Sequence, residues 1–292
     1  MKNFFLSLSN ENKGFIFGFV GIIIFSITPV ATKIALGYNN SQLSAEFITF
    51  GRSALAGNLA LLYLFFFRKK IPKLKYLFNF SIIAFCLSVV FPLTLSFGLI
   101  YSTSIHAGVI LAFLPLATAI FASFYFKQKA SKSFWLCAFF GSIIVVIYIL
   151  LHNENSNTTF EIAAAVGYNF GAKLTKVMAA PEVISWALVL AMPFHFGFAI
   201  YYFPKTEINI ISWIGFLYVA IFSQWIGFFA WYKGLDLGGA VRVSQIQLLM
   251  PFFTFAFSIY ILGETLDFLT IIFSVAIILL IYLSRKTAVS KK

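Results

Sequence analysis

Few polar side chains interrupt the apolar runs of this chain, and any chemistry it performs has to use them. Arg52 stands ten residues into a run that starts at Gln42. At ~1.5 Å of rise per helical residue it would sit roughly 15 Å below a membrane surface. That is too deep for easy snorkelling, and a central arginine costs at least ~2.5–3.5 kcal/mol to insert. Its two uses are binding a carboxylate or other anion, or a structural role capping helix carbonyls or pairing with Glu46.

Other candidates follow helical spacing. Ser244, Gln247, Pro251 and Thr254 recur at intervals of 3, 4 and 3 and share a face, with Arg242 and Gln245 on a face nearby. Neutral hydrogen-bonding groups beside a kink suit a polar substrate inside an apolar wall. The rival use is helix-to-helix hydrogen bonding, at about 1 kcal/mol per contact. Gln224 and Trp225 lie deep in a second run and Tyr168 near mid-depth in a third, offering stacking surface and donors. Asn169, Lys173 and Lys176, at i, i+4 and i+7, form either a row leading out of a cavity or a polar helix end. The expected substrate contacts are Arg52, Tyr168, Asn169, Lys173, Gln224, Trp225, Ser244, Gln245 and Gln247. Lys33, near the end of its run, is expected to snorkel. His195 is expected to be a packed residue, and Trp135, Trp213 and Trp231 to be interface anchors. Gly14-x3-Gly18 and Gly167-x3-Gly171 permit close helix contact.

The chain also lacks several things. No Asp or Glu falls at mid-depth: Glu46, Glu161, Glu264 and Asp267 cluster toward one membrane side, Glu182 and Asp236 toward the other. A carboxylate proton relay is therefore unsupported, and facilitated diffusion is the simpler expectation, with His106 and His195 as alternative titrating groups. There is no Ser-His-Asp set, metal-ligand cluster or phosphate loop, so no catalytic residue, metal or cofactor is expected and the chain does not read as an enzyme. Cys86 and Cys137 lie inside apolar runs without CxxC spacing.

These residues need elements to hold them. The 292 residues are 61% apolar and 10% charged, where a soluble domain has about 25% charged. An all-α polytopic membrane protein follows. Spans of about 20 apolar residues can be drawn at 14–37, 42–67, 76–99, 102–126, 134–151, 158–178, 181–203, 210–233, 238–262 and 266–284. With the N-terminus in the cytoplasm, 18 of the 21 Lys and Arg fall on the inner side, leaving Lys33, Arg52 and Lys205. This is the positive-inside pattern, and it places both termini in the cytoplasm. The net charge of +12 then reflects orientation in the bilayer rather than a nucleic-acid partner. The partners expected are the lipid bilayer and a small-molecule substrate. The oligomeric state stays open, and a single copy is a workable unit.

The chain also repeats. Gly98–Gln128 aligns without a gap on Gly234–Glu264, matching Gly98/Gly234, Leu99/Leu235, Ile110/Ile246, Pro115/Pro251, Thr118/Thr254 and Phe121/Phe257. A repeat of five helices enters the membrane from the opposite side in its second copy, giving two inverted halves, 1–151 and 162–292, joined by an external loop at 152–161. Such pairs are typical of secondary transporters with a midplane site. Pro115 and Pro251 are expected hinges, and the equivalent positions His106 and Arg242 expected gates.

The layout in two fives, the repeated Gly-Leu…Pro pattern and the Gly263-Glu264-Thr265 turn resemble the drug/metabolite transporter superfamily, specifically its EamA-type members. The likeness runs from about Gly14 to Ser284. Its most specific piece is GLDLGGAVRVSQIQLLMPFFTFAFSIYILGETL, similar to that family's ninth helix and following turn. The resemblance implies a ten-helix bundle carrying small metabolites, often amino acids, usually outward. One departure is that helix 6 has about nine apolar-leaning residues, Ile162–Phe170, before Lys173, so it should start in the polar loop or be short and irregular. The function expected is export of amino acids or other carboxylate-bearing solutes across a bacterial inner membrane by alternating access. The alternatives are import or exchange of a larger anionic metabolite, nucleotide- or S-adenosylmethionine-like, and a non-transporting scaffold or intramembrane enzyme.

Overall fold

The computed structural model describes residues 8–37, 41–111, 113–114, 117–118, 120–121, 132–151, 159–239 and 243–286. The fold is all-helical, with no strand among the described residues. Each stretch expected to cross the membrane contains described helix. The elements are α1 (Asn10–Leu36), α2 (Ala45–Phe66), α3 (Leu74–Tyr101), α4 (Ser104–Leu111), α5 (Lys132–Leu151), α6 (Thr159–Leu174), α7 (Ala180–Tyr201), α8 (Ile210–Gly238), α9 (Ile246–Leu262) and α10 (Phe268–Lys286). Of these, α1, α2, α3, α7 and α8 are long and apolar enough to cross a bilayer.

Local chemistry sets the ends and breaks. Ser9 caps α1 by accepting from the Asn12 N–H at 3.2 Å, and Ser44 caps α2 by accepting from the Phe47 N–H at 3.1 Å. α1 breaks at Ile27, because Pro29 has no N–H to return to the carbonyl four residues back. α6 begins at Thr159, inside the polar stretch, which is how it gains length despite its short apolar run. α9 changes type: it is entered through a 3-10 stretch, Ser244–Leu249, continues as α-helix over Met250–Phe257 and ends in a π stretch, Ser258–Leu262. Pro251 thus stands in a first helical turn, where its missing N–H costs little.

α3 and α8 are each interrupted by a π-helical stretch, Cys86–Val90 and Tyr218–Ile226. The wider turns loosen backbone pairing and turn carbonyls toward side chains. Two of those carbonyls are taken up: Leu87 O accepts from Gln224 Nε2 at 3.0 Å, and Ser88 O accepts from Ser53 Oγ at 2.9 Å.

The helices pack in pairs: α1 along α8, α2 on α7, α3 on α6, α4 on α9 and α5 on α10. Glycine sets the tightest approach. A Cβ on Gly14 would sit 2.5 Å from the Gly238 nitrogen, and one on Gly234 would sit 2.7 Å from the Gly18 nitrogen. Elsewhere Gly167 cradles Leu87 and Gly171 cradles Tyr232. The same closeness corrects the expectation for Trp231. Instead of anchoring at an interface it is 1% exposed, packed over Gly21 and against Phe25 and Tyr168. Outward-facing Phe65, Phe78, Phe139, Tyr201, Ile210 and Phe268 leave an apolar surface of the kind lipid covers.

Candidate functional site

A small cavity lies between α1, α2, α3, α4, α6, α8 and α9. Its polar wall is Arg52, Thr28, Ser223, Gln224 and Tyr168; its apolar wall is Phe25, Pro29, Leu87, Phe91, Leu95, Leu111, Phe228 and Met250. The enclosed volume of about 10 Å³ holds roughly one water molecule. A metabolite needs far more room, so this is a closed form.

The π stretch of α8 places two members of the polar wall. On α8, Ser223 and Gln224 are consecutive, and both are buried facing inward. The Ser223 hydroxyl accepts from Arg52 Nη2 at 3.0 Å and shares a hydrogen bond with the Thr28 hydroxyl at 2.8 Å. Arg52 is 1% exposed, and its Nε and Nη1 have no hydrogen-bond partner. It neither caps a helix nor pairs with Glu46. An arginine stays protonated essentially everywhere, so one positive charge sits in the cavity wall with donors unused. Tyr168 closes another side, its ring 6.3 Å from Phe25, 5.9 Å from Phe228 and 5.5 Å from Trp231.

Of the expected substrate contacts, the fold brings Arg52, Tyr168 and Gln224 together. Trp225 turns away, donating to Ser185 Oγ at 2.9 Å and packing on Tyr63 and Phe229. Ser223 and Gln224 take up the inward side of this π stretch, and the next residue, Trp225, is rotated past it. Asn169 donates to the Ala165 and Thr118 carbonyls and ties α6 to the chain near Thr118. Lys173 is exposed at the end of α6. Gln247 is fully buried outside the cavity, with neither amide atom hydrogen-bonded. Thr254 donates to the Ser26 carbonyl, so α9 offers the cavity Met250 rather than its polar row. The side chains of Ser244 and Gln245 lie outside the described residues, as do Arg242 and Pro115.

One further expectation changes. Lys33 does not snorkel: Nζ donates to the Leu99 and Ser102 carbonyls at 2.6 and 2.7 Å, capping the end of α3. His106 packs its ring against Tyr148, 5.7 Å between centroids, and its backbone N–H donates to Thr103 Oγ1 at 3.2 Å. His195 is buried among Phe50 and Phe194.

Comparison with known proteins decides what kind of protein holds this cavity. Residues 12–151 and 159–285 each match the EamA-like transporter family. The chain belongs to that family. This EamA chain is 33% identical to the uncharacterized transporter YdeK of Bacillus subtilis (strain 168), over 96% of its own length and 100% of that protein's. YetK of the same organism, also an uncharacterized transporter, is 22% identical over 82% of this chain and 78% of its own. One solved crystal structure superposes with a TM-score of 0.67 at 13% identity, covering 95% of this chain and 99% of that one, a likeness of fold alone. The EamA chain is thus an integral membrane transporter.

Thr28 and Ser223 were not legible as site residues. Short hydroxyls recur in membrane helices and mostly bond their own backbone, as Thr32 and Thr49 do here. The one available signal was that Ser223 precedes a deep glutamine.

Proposed function

We propose that this EamA transporter exports small carboxylate-bearing solutes, amino acids among them, across a bacterial inner membrane by alternating access around the Arg52 cavity. It is read as a carrier and not an enzyme. The reading is carried by one observation: a buried guanidinium with two unpartnered nitrogens faces an enclosed space between segments 12–151 and 159–285. An uncompensated charge at this depth is costly, and an anionic ligand offsets the cost. Two inverted halves, 1–151 and 162–292, fit the packing. Exchanging α1–α5 with α6–α10 turns the α1–α8 pair into α6–α3 and maps α2–α7, α4–α9 and α5–α10 onto themselves. The π stretches inside α3 and α8 fall on helices that are equivalent under that exchange, and a third π stretch, Ser258–Leu262, closes α9. The lysine-rich loops would face the cytoplasm, with both termini.

The test is a substrate panel in liposomes carrying the purified protein, read by counterflow of labelled solute. Carboxylates should exchange and Arg52→Ala should abolish the exchange. A preference for cationic solutes that survives Arg52→Ala would overturn the reading.

A further inference from the structure

The cavity wall holds a charge and no counter-charge. Among the described residues Arg52 donates to Ser223 alone, and no Asp or Glu lines the space. Three of the described carboxylates are engaged elsewhere. Glu182 bonds Lys69, Asp236 lies between Lys176 and Lys233, and Glu264 accepts two backbone N–H groups of α4. The neutral groups in the wall carry no charge to offset it: the Thr28 and Ser223 hydroxyls bond each other, and Gln224 gives its Nε2 to the Leu87 carbonyl. Gln224 and Tyr168 complete the polar wall with neutral groups, and the rest of the lining is hydrocarbon or aromatic ring.

We propose that the cavity selects apolar monoanions, carboxylic acids without an ammonium group such as branched-chain or aryl 2-oxo acids, over amino-acid zwitterions of the same skeleton. This narrows the reading of the cavity as a carboxylate transport site and rests on it. A monoanion beside Arg52 makes the closed site electrically neutral. A zwitterion brings its own cation, so the closed site keeps a net positive charge in a low-dielectric interior, where an unpaired charge is strongly disfavoured. Its ammonium would meet only neutral oxygens in this wall, those of Thr28, Ser223, Gln224 and Tyr168, and none of them carries the negative charge that would cancel it. The Leu87, Leu95, Leu111 and Met250 side chains and the Phe25, Phe91 and Phe228 rings suit the apolar body of such an acid, while Arg52 takes its carboxylate.

Matched pairs test this on the full-length wild-type protein. In liposomes at neutral pH, labelled 4-methyl-2-oxopentanoate counterflow, corrected for protein-free vesicles, is competed with 4-methyl-2-oxopentanoate or leucine, and with phenylpyruvate or phenylalanine. Thermal shift in detergent with the same four compounds gives a second readout independent of leakage. The expected result is half-inhibition by each oxo acid at a concentration roughly tenfold or more below that of its amino-acid twin, with the larger thermal shift. Equal or better competition by leucine or phenylalanine overturns the selectivity and leaves the carboxylate site standing; the ring faces would then be holding the ammonium. If none of the four competes or shifts the protein, while neutral or cationic solutes do, the carboxylate reading itself falls. Arg52→Gln, where it folds, should remove the difference within each pair.

Discussion

Arg52 is both the most informative and the least comfortable residue in this chain. Its guanidinium is buried with Nε and Nη1 unpartnered, and an unpaired buried charge destabilises the fold that holds it. Function and stability therefore pull apart at this position. Arg52→Leu should raise the thermal midpoint of the unliganded protein by about 2–4 °C for each kcal/mol relieved, because the Thr28–Ser223 bond survives without it. The same change should abolish the thermal shift given by carboxylates. A midpoint that falls instead would mean the arginine is structural. The sequence exposed Arg52 because depth and charge alone make such a residue conspicuous. It could not separate Gln224 from Trp225, since the π stretch that rotates one inward and the other onto Ser185 leaves no mark in residue type. Thr28 and Ser223 were hidden by ordinariness.

At the scale of elements, glycine spacing foretold where α1 would be approached closely, while the caps were not foreseen. Glu264 belongs to the turn after α9, yet its carboxylate accepts from the Ser104 and Ile105 N–H groups at 2.9 and 3.0 Å, at the first turn of α4. The carboxylate satisfies otherwise orphaned donors and complements the positive end of the helix. Gly263, at φ +67°, makes the left-handed turn that aims it. Glu264→Ala leaves both N–H groups unpaired and should cost about 1–2 kcal/mol, read as a lower thermal midpoint in detergent. Glu264→Gln, keeping one acceptor oxygen, should lose less. Equal losses would show that the side chain acts by charge alone. The sequence placed Glu264 in the turn that closes α9 but named no partner, because Ser104 lies 160 residues away. Trp231 failed for a related reason: nearness to a helix end suggested an anchor, but Gly21 of α1 opens a buried slot for it.

Across the whole molecule, a cavity with room for about one water can carry a metabolite only if one end opens, and the two ends are fastened differently. At one, Glu264 holds α4 through two hydrogen bonds and the Gln42 side chain accepts from the Asn209 N–H at 2.8 Å. At the other, Lys69 in the basic loop after α2 meets Glu182 at the start of α7, 2.9 Å apart and partly exposed. Exposed pairs contribute little, so the Lys69 end should open the more readily. With the basic loops in the cytoplasm, as proposed, that end is where an exporter loads. A single cysteine at Leu87, with Cys86 and Cys137 replaced by serine, should therefore react faster with an impermeant thiol reagent from the cytoplasmic side once Glu182→Gln removes the pair. No acceleration would mean that this contact does not gate the cavity. The pH dependence gives an independent check. The hydrogen bond and charge of Glu182 raise the Lys69 pKa above its ordinary value, so the pair's stabilisation is complete below the ordinary lysine pKa of about 10.4. It is lost as pH climbs through the raised folded value. The thermal midpoint of the wild type should then exceed that of Glu182→Gln by a constant margin up to about pH 10, and the margin should close above it. A margin that persists at high pH would show that Glu182 supports the start of α7 without Lys69.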